Sequence, residues 1–333
     1  MDQVQTSSWK LPVGCAVVLV SMTAGCAPSN SVQAGAPIML SFGPVSAAAP
    51  YDAYGSPAYL PLATDAGPAT VPPRSSFLAM FDRILDPTTL EDTDGGAKAG
   101  VAALTSDVVG AVTEVTTNYT PNGDPVNHVL VPQGPSIMVI PTCGMPSASQ
   151  MLLALDVAKL RSHDQTKTAT LKDGVAATLA FATDPFSATT DVPAPAPATN
   201  DPSGPPLPAV VDPTLVVNLT FSNQTPPGLP DACQSVPPLP SIASHIHVAG
   251  TVSGVPVVPL AAVVTQDMAD AGHWVVSPPG TTADGTPGAW PAGALITVTV
   301  DVGATDSFNK PLATEASASF LVKSGNPRKG RAR

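Results

Sequence analysis

The sequence predicts an all-β protein built as two similar sandwiches in tandem. Three observations lead there. First, 40 Pro and 26 Gly are spread through 333 residues, and only 12% of residues are charged. Pro and Gly at that density interrupt long helices and suit short strands joined by turns. Second, apolar residues recur at every other position in short runs, as in Leu295-Ile-Thr-Val-Thr-Val-Asp301 and Ala318-Ser-Phe-Leu-Val322. That alternation marks half-buried strands. Third, landmarks repeat in order. Phe81, Pro141 and Phe181 recur as Phe221, Pro278 and Phe320, at offsets of 140, 137 and 139. Three landmarks in step indicate a duplicated unit.

The elements follow in order. Leu11 to Met22 is an apolar run, long enough for a signal-peptide core and too short to span a bilayer. Residues 26–70 are rich in Ala, Pro, Ser and Gly and read as a flexible tether. The first copy occupies 71–184. Phe77, Ala79 and Phe81 share one face of its opening strand. Asp86-Pro87 makes a turn, Glu91 to Ala99 a polar loop, and further strands are expected at Val108–Val115, Asn127–Val131, Ile137–Ile140, Met151–Val157 and Ala177–Ala182. Residues 185–208 carry Pro193-Ala-Pro195-Ala-Pro197 and read as a semi-stiff linker. The second copy occupies 209–324, and 325–333 form a basic tail.

Two resemblances narrow the reading. Thr23-Ala24-Gly25-Cys26 closes the apolar run. It resembles the lipobox of bacterial lipoproteins, with Thr23 standing where Leu or Val is usual. The resemblance implies cleavage after residue 25, lipidation of Cys26 and, with Ala27 following, an outer-membrane anchor. More than one acyl chain suffices for stable membrane attachment. The order of strand, Pro-x-Gly at Trp290-Pro-Ala-Gly293, Ile-x-Val-x-Val, Asp306, Asn309, Leu312 and a closing Phe320 strand is similar to the bacterial Ig-like domain of surface-layer proteins, the SbsA type. The first copy departs, with Pro146-Ser-Ala-Ser in place of Pro-x-Gly. This resemblance implies tandem Ig-like sandwiches used as structural, spacing or adhesive modules, with no catalytic residues.

Charge excludes one class of partner. The chain carries −11; without the tail's four basic residues, Lys10 and Asp2 it holds 9 basic against 24 acidic residues. Such a body repels nucleic acid. The expected partners are the membrane, through the lipid, and an envelope protein or a glycan.

Candidate chemistry is sparse. Cys15 lies in the leader and Cys26 is the lipidation candidate, which leaves Cys143 and Cys233 as a possible disulfide in an oxidising compartment, or as two separate thiols. His245-Ile-His247 places two imidazoles on one strand face, yet no nearby acidic residue or Cys completes a metal site, so a solvent-facing strand is the expectation. Asp92-Thr-Asp94-Gly95 starts like a calcium loop but lacks oxygen ligands at Gly96 and Ala103, and reads as a solvated acidic loop. Asp301 and Asp306 are expected to cap a turn. Asn118, Asn218 and Asn223 begin glycosylation-type triplets of no expected consequence. No nucleophile, zinc-protease or phosphate-loop motif occurs, so neither enzyme activity nor a cofactor is expected. The alternative to a structural module is a cell-surface adhesin or glycan-binding module.

Overall fold

The structure is a computed structural model. It describes residues 35–324, except 47, 54, 55, 65, 66, 91–99, 112, 122–133, 196–205, 225–241, 259, 268, 269, 271, 283–285 and 287. From Ala36 onward these residues belong to one compact unit. The leader, Cys26, Cys233, the Asp92 loop, the 127–131 segment and the basic tail all lie outside the described residues.

The described chain is almost entirely strand and turn. The first half contains β1 (Ile38–Val45), β2 (Ala63–Thr64), β3 (Gly67–Pro68), β4 (Thr70–Val71), β5 (Ser76–Phe81), β6 (Ala102–Ser106), β7 (Val115–Thr120), β8 (Ser136–Pro141), β9 (Gln150–Leu155), β10 (Thr170–Leu171) and β11 (Thr178–Thr183). The second contains β12 (Ala188–Thr190), β13 (Ala209–Val211), β14 (Val217–Phe221), β15 (Ile246–Val252), β16 (Val255–Pro256), β17 (Val263–Gln266), β18 (His273–Ser277), β19 (Ala294–Val300) and β20 (Ala316–Val322).

Two sandwiches result, wired alike. In the first, a sheet ordered β10-β1-β5-β8-β7 faces one ordered β4-β11-β9-β6. In the second, β12-β14-β18-β17 faces β13-β20-β19-β15-β16. Apart from the short extra edges β10 and β16, the strand orders correspond one to one. This is the constant-type immunoglobulin arrangement of A-B-E-D against G-F-C, with a short A′ strand added beside G. Both A′ strands run parallel to the last strand, pairing Val71 with Thr183 and Val211 with Val322.

The alternation seen in the sequence builds both cores. Along β19, Ala294, Ile296, Val298 and Val300 are buried while the residues between are half-exposed. Phe77 of β5 meets Phe181 of β11 across the first sandwich, ring centroids 5.1 Å apart. Trp290 meets Phe320 edge-on at 5.8 Å, and its indole N–H donates to the Leu215 carbonyl at 2.7 Å. Each such fully buried apolar side chain contributes about 1.5–3 kcal/mol. The repeated landmarks Phe81, Phe181, Phe221 and Phe320 are all core residues.

The structure moves both domain boundaries. Residues expected as tether instead form β1, which pairs antiparallel with β5 and buries Met39 and Val45. The chain after β1 then folds over the outer face of the same sheet. Tyr51 and Tyr59 pack there on Leu78 and Met80, which is why β5 is buried on both faces. The Tyr59 hydroxyl donates to the Leu78 carbonyl at 3.2 Å and shares a hydrogen bond with Ser41 at 2.8 Å. Gly43 is small because a Cβ there would lie 2.9 Å from the Tyr59 ring. The expected linker likewise supplies strand A of the second sandwich: β12 pairs with β14, and Phe186 is buried against Phe221. Small and Pro-rich composition hid both strands, because their partners are distant in sequence. One further strand shifts. Chain expected to be strand from Val108 is a turn after β6, and β7 starts only at Val115.

The two copies diverge at one turn before strand F. Gly293 takes a left-handed φ of 73°, and Ala148 takes the same place in the first copy at 46°. An L side chain is strained there, whereas glycine is not. Ala148→Gly should therefore stabilise the first sandwich by about 0.5–1 kcal/mol, the relief exceeding the added freedom of the unfolded chain. Chemical denaturation with the midpoint unchanged or lowered would contradict this.

Candidate functional site

Among the described residues, the most elaborate polar arrangement joins the two sandwiches. Its centre is Asp306, fully buried in the loop between β19 and β20. A buried carboxylate needs compensation for its lost hydration, and Asp306 collects four N–H donors. Its Oδ1 accepts from Phe308 N and Lys310 N, each at 2.8 Å, which is the turn cap expected from sequence. Its Oδ2 accepts from Ser147 N at 3.0 Å and from Asn223 Nδ2 at 2.8 Å. Ser147 belongs to the first sandwich, so one carboxylate closes a loop and bridges two domains.

Asn223 extends the contact. It follows β14 and is 2% exposed. Its amide nitrogen also lies 2.8 Å from the Met145 carbonyl and 3.0 Å from Ser147 Oγ, so two N–H groups are shared among three acceptors. Next to it, Gln224 Nε2 donates to the Thr305 carbonyl at 2.9 Å, holding the base of the Asp306 loop. The segment from Gly144 to Ser149 is itself held rigidly. Met145 N donates to the Pro73 carbonyl, Thr183 Oγ1 donates to the Pro146 carbonyl, and Ala148 N donates to the Asp184 carbonyl. Asn223, the first residue of a glycosylation-type triplet, is thus a packing element of the joint, too buried to be an acceptor.

Cys143 sits at the edge of this joint, 5% exposed and disulfide-bonded. Its expected partner Cys233 lies outside the described residues.

A second cluster involves the histidine pair. Sequence reasoning found no acid near His245 and His247, but the fold brings Asp301 to both. Asp301 Oδ1 is 2.9 Å from His245 Nδ1 and Oδ2 is 2.7 Å from His247 Nε2. Gly303 N also donates to Oδ1 at 2.7 Å, the expected turn cap. The His247 contact, the Gly303 amide and His245 together pull the Asp301 carboxyl down to about 2. The cluster pins the start of β15 to the root of the Asp306 loop. Among the described residues no three His, Cys, Asp or Glu side chains are grouped so as to hold a metal ion.

One open groove of about 390 Å³ lies beside β20, lined by Val192, Pro193, Pro206, Pro208, Ser317 and Ser319 among others, with no ionisable group in its wall. Every described aromatic residue is buried or half-buried.

No family model matches the sequence, and no curated protein matches it. Solved structures do overlap with it. The N-terminal part of the bacterial S-layer protein SbsC matches at a TM-score of 0.23 and 11% identity, over 87% of this chain and 45% of that one. Domains 4–9 of the surface layer protein SbsC match at a TM-score of 0.19 and 10% identity, over 87% of this chain and 32% of that one. The chain therefore spans less than half the length of either structure, and the overlap is loose.

The joint and the clasp give two expectations. Asp306→Ala leaves Ser147 N, Phe308 N and Lys310 N without their acceptor, and hydrogen bonds to a charged group are worth about 1.5–3 kcal/mol each. The variant should lose about 3 kcal/mol or more in urea unfolding; a loss below about 1 kcal/mol would show that the node contributes little. For Asp301 the folded value lies below the ordinary 3.8. Its stabilising effect is complete above that value and lost as pH falls through about 2. Asp301→Asn should flatten the acid limb of a stability-versus-pH curve in this window, and an unchanged limb would refute the coupling.

Proposed function

We propose that the chain is an envelope-anchored lipoprotein in which the paired Ig-like sandwiches act as a stiff structural or protein-interaction module. The observation that carries the reading is the joint. Two independently cored sandwiches are fastened by buried, charge-compensated hydrogen bonds, instead of hanging on a free linker. Interfaces between domains are ordinarily polar and mobile. A buried carboxylate with all its lone-pair directions used resists relative motion, because opening the joint would strand it. A stiff tandem suits a spacer that holds a surface at a set distance from a membrane.

Anchoring rests on the resemblance of Thr23-Ala24-Gly25-Cys26 to a lipobox. In this reading Cys26 becomes the first residue of the mature chain and carries the acyl groups, most simply at the outer membrane. The module acts by holding and contacting, without catalysis or cofactor. Between an adhesin that stacks on glycans and a protein-contacting module, the burial of the aromatics favours the latter, since sugar recognition relies on exposed rings.

Metabolic labelling with an alkyne fatty acid tests the anchor. The wild-type chain should take up label and partition with membranes, and Cys26→Ala should lose both. Label that persists on the variant would move the acylation elsewhere or remove it from the account.

A further inference from the structure

The surface that the first sandwich offers to the joint has a counterpart on the second, and there it stands open. Met145 N donates to the Pro73 carbonyl at 2.9 Å, and Trp290 N donates to the Pro213 carbonyl at 2.8 Å. Pro146-Ser147-Ala148 therefore matches Pro291-Ala292-Gly293, and the third residue of each turn is left-handed. In the first sandwich the turn is docked: the Ser147 N–H donates to Asp306 and the Met145 carbonyl accepts from Asn223. The equivalent groups in the second are the Ala292 N–H and the Trp290 carbonyl, at the opposite end of β19 from the Asp306 loop. Ala292 is exposed, and neither group has a hydrogen-bond partner among the described residues. No charged residue lies in 288–294 or in 144–149, so neither turn repels a carboxylate.

The free end of the first sandwich lacks the matching half. Its loop repeats the Asp306 loop bond for bond. Lys310 N donates to Asp306 Oδ1 at 2.8 Å, and Lys167 N donates to Ser162 Oγ at 3.0 Å. Asn309 N donates to the Asp306 carbonyl, and Gln165 N to the Ser162 carbonyl, with Asn309 and Gln165 both left-handed. Ser162 thus stands in the place of Asp306. Arg83, two residues after Phe81, stands in the place of Asn223, two residues after Phe221. A second copy of this chain offers neither the carboxylate nor the amide at those positions.

We infer that the turn Pro291-Ala292-Gly293 is a docking site for another Ig-like sandwich, one whose loops present a carboxylate and a primary amide as Asp306 and Asn223 do. The inference rests on the reading of the joint as a stiff fastening, and it continues the same interface by one repeat. A contact of this head-to-tail kind, repeated, builds an open row of domains with a constant step.

Sedimentation velocity tests the site by supplying the missing half. The wild-type chain should sediment as a monomer. The variant Arg83→Asn, Ser162→Asp carries the amide and carboxylate on the free end of its first sandwich. It should associate head to tail, its average mass at least about doubling at concentrations up to about 1 mM. Adding Ala292→Pro removes the N–H at a turn position that suits proline, because the next residue is left-handed. This triple variant should be monomeric alone and should form one-to-one complexes with the wild-type chain. A folded double variant that stays monomeric, or association that survives Ala292→Pro, overturns the inference. If circular dichroism shows the double variant unfolded, Ser162→Asp alone is read in the same way. Hydrogen exchange of the wild type separates the two readings. A Ser147 amide that exchanges as fast as a free peptide removes the stiff joint itself. A protected Ser147 beside a monomeric variant removes only the second docking site.

Discussion

A single buried carboxylate sets the relation between the halves of this molecule. Asp306 has no access to solvent, and a charge in that position is tolerated only if protein dipoles replace water. Two of its donors come from its own loop, one from the segment after β14 in the same sandwich and one from the neighbouring domain. The loop can close without the first sandwich. The charge is satisfied only when Ser147 is present. Local folding and domain docking therefore share one interaction.

The surrounding structure serves to place those donors. The strand B that ends in Phe221 delivers Asn223 two residues later, and the strand E that ends in Pro141 delivers Ser147 six residues later. Thr183 and Asp184, at the end of strand G, hold the Pro146 and Ala148 backbone. Ala148 keeps a left-handed conformation that would suit glycine. The strain is consistent with a turn held in place from several sides. The Asp301 clasp adds a support at the root of the same loop, where His245 and His247 fasten strand C to it.

Much of this was legible in the amino-acid order. Period-two alternation located most inner strands within a residue or two, and the spacing of Phe81, Pro141 and Phe181 against Phe221, Pro278 and Phe320 announced the doubled plan. Both A strands were illegible. Ile38–Val45 sits in Ala- and Pro-rich sequence and Ala188–Thr190 in a short polar run, and their strand character depends on pairing with β5 and β14. Strands of this kind, with little strand propensity of their own, take their conformation from the neighbours that hydrogen-bond them.

Sequence by itself settled the class of the molecule: all-β, low in charge, duplicated, with Pro and Gly marking the turns. These are local properties, written in periodicity and in backbone restrictions that each residue carries with it. Tertiary structure decided which polar groups meet. Nothing in the triplet Asn223-Gln-Thr points to Ser147, and nothing in His245-Ile-His247 points to Asp301 more than fifty residues away. Contacts of that range depend on how two sheets stack and two sandwiches abut. The energy that selects them is the cost of leaving a buried charge or amide unpaired, a cost that exists only once the chain has folded.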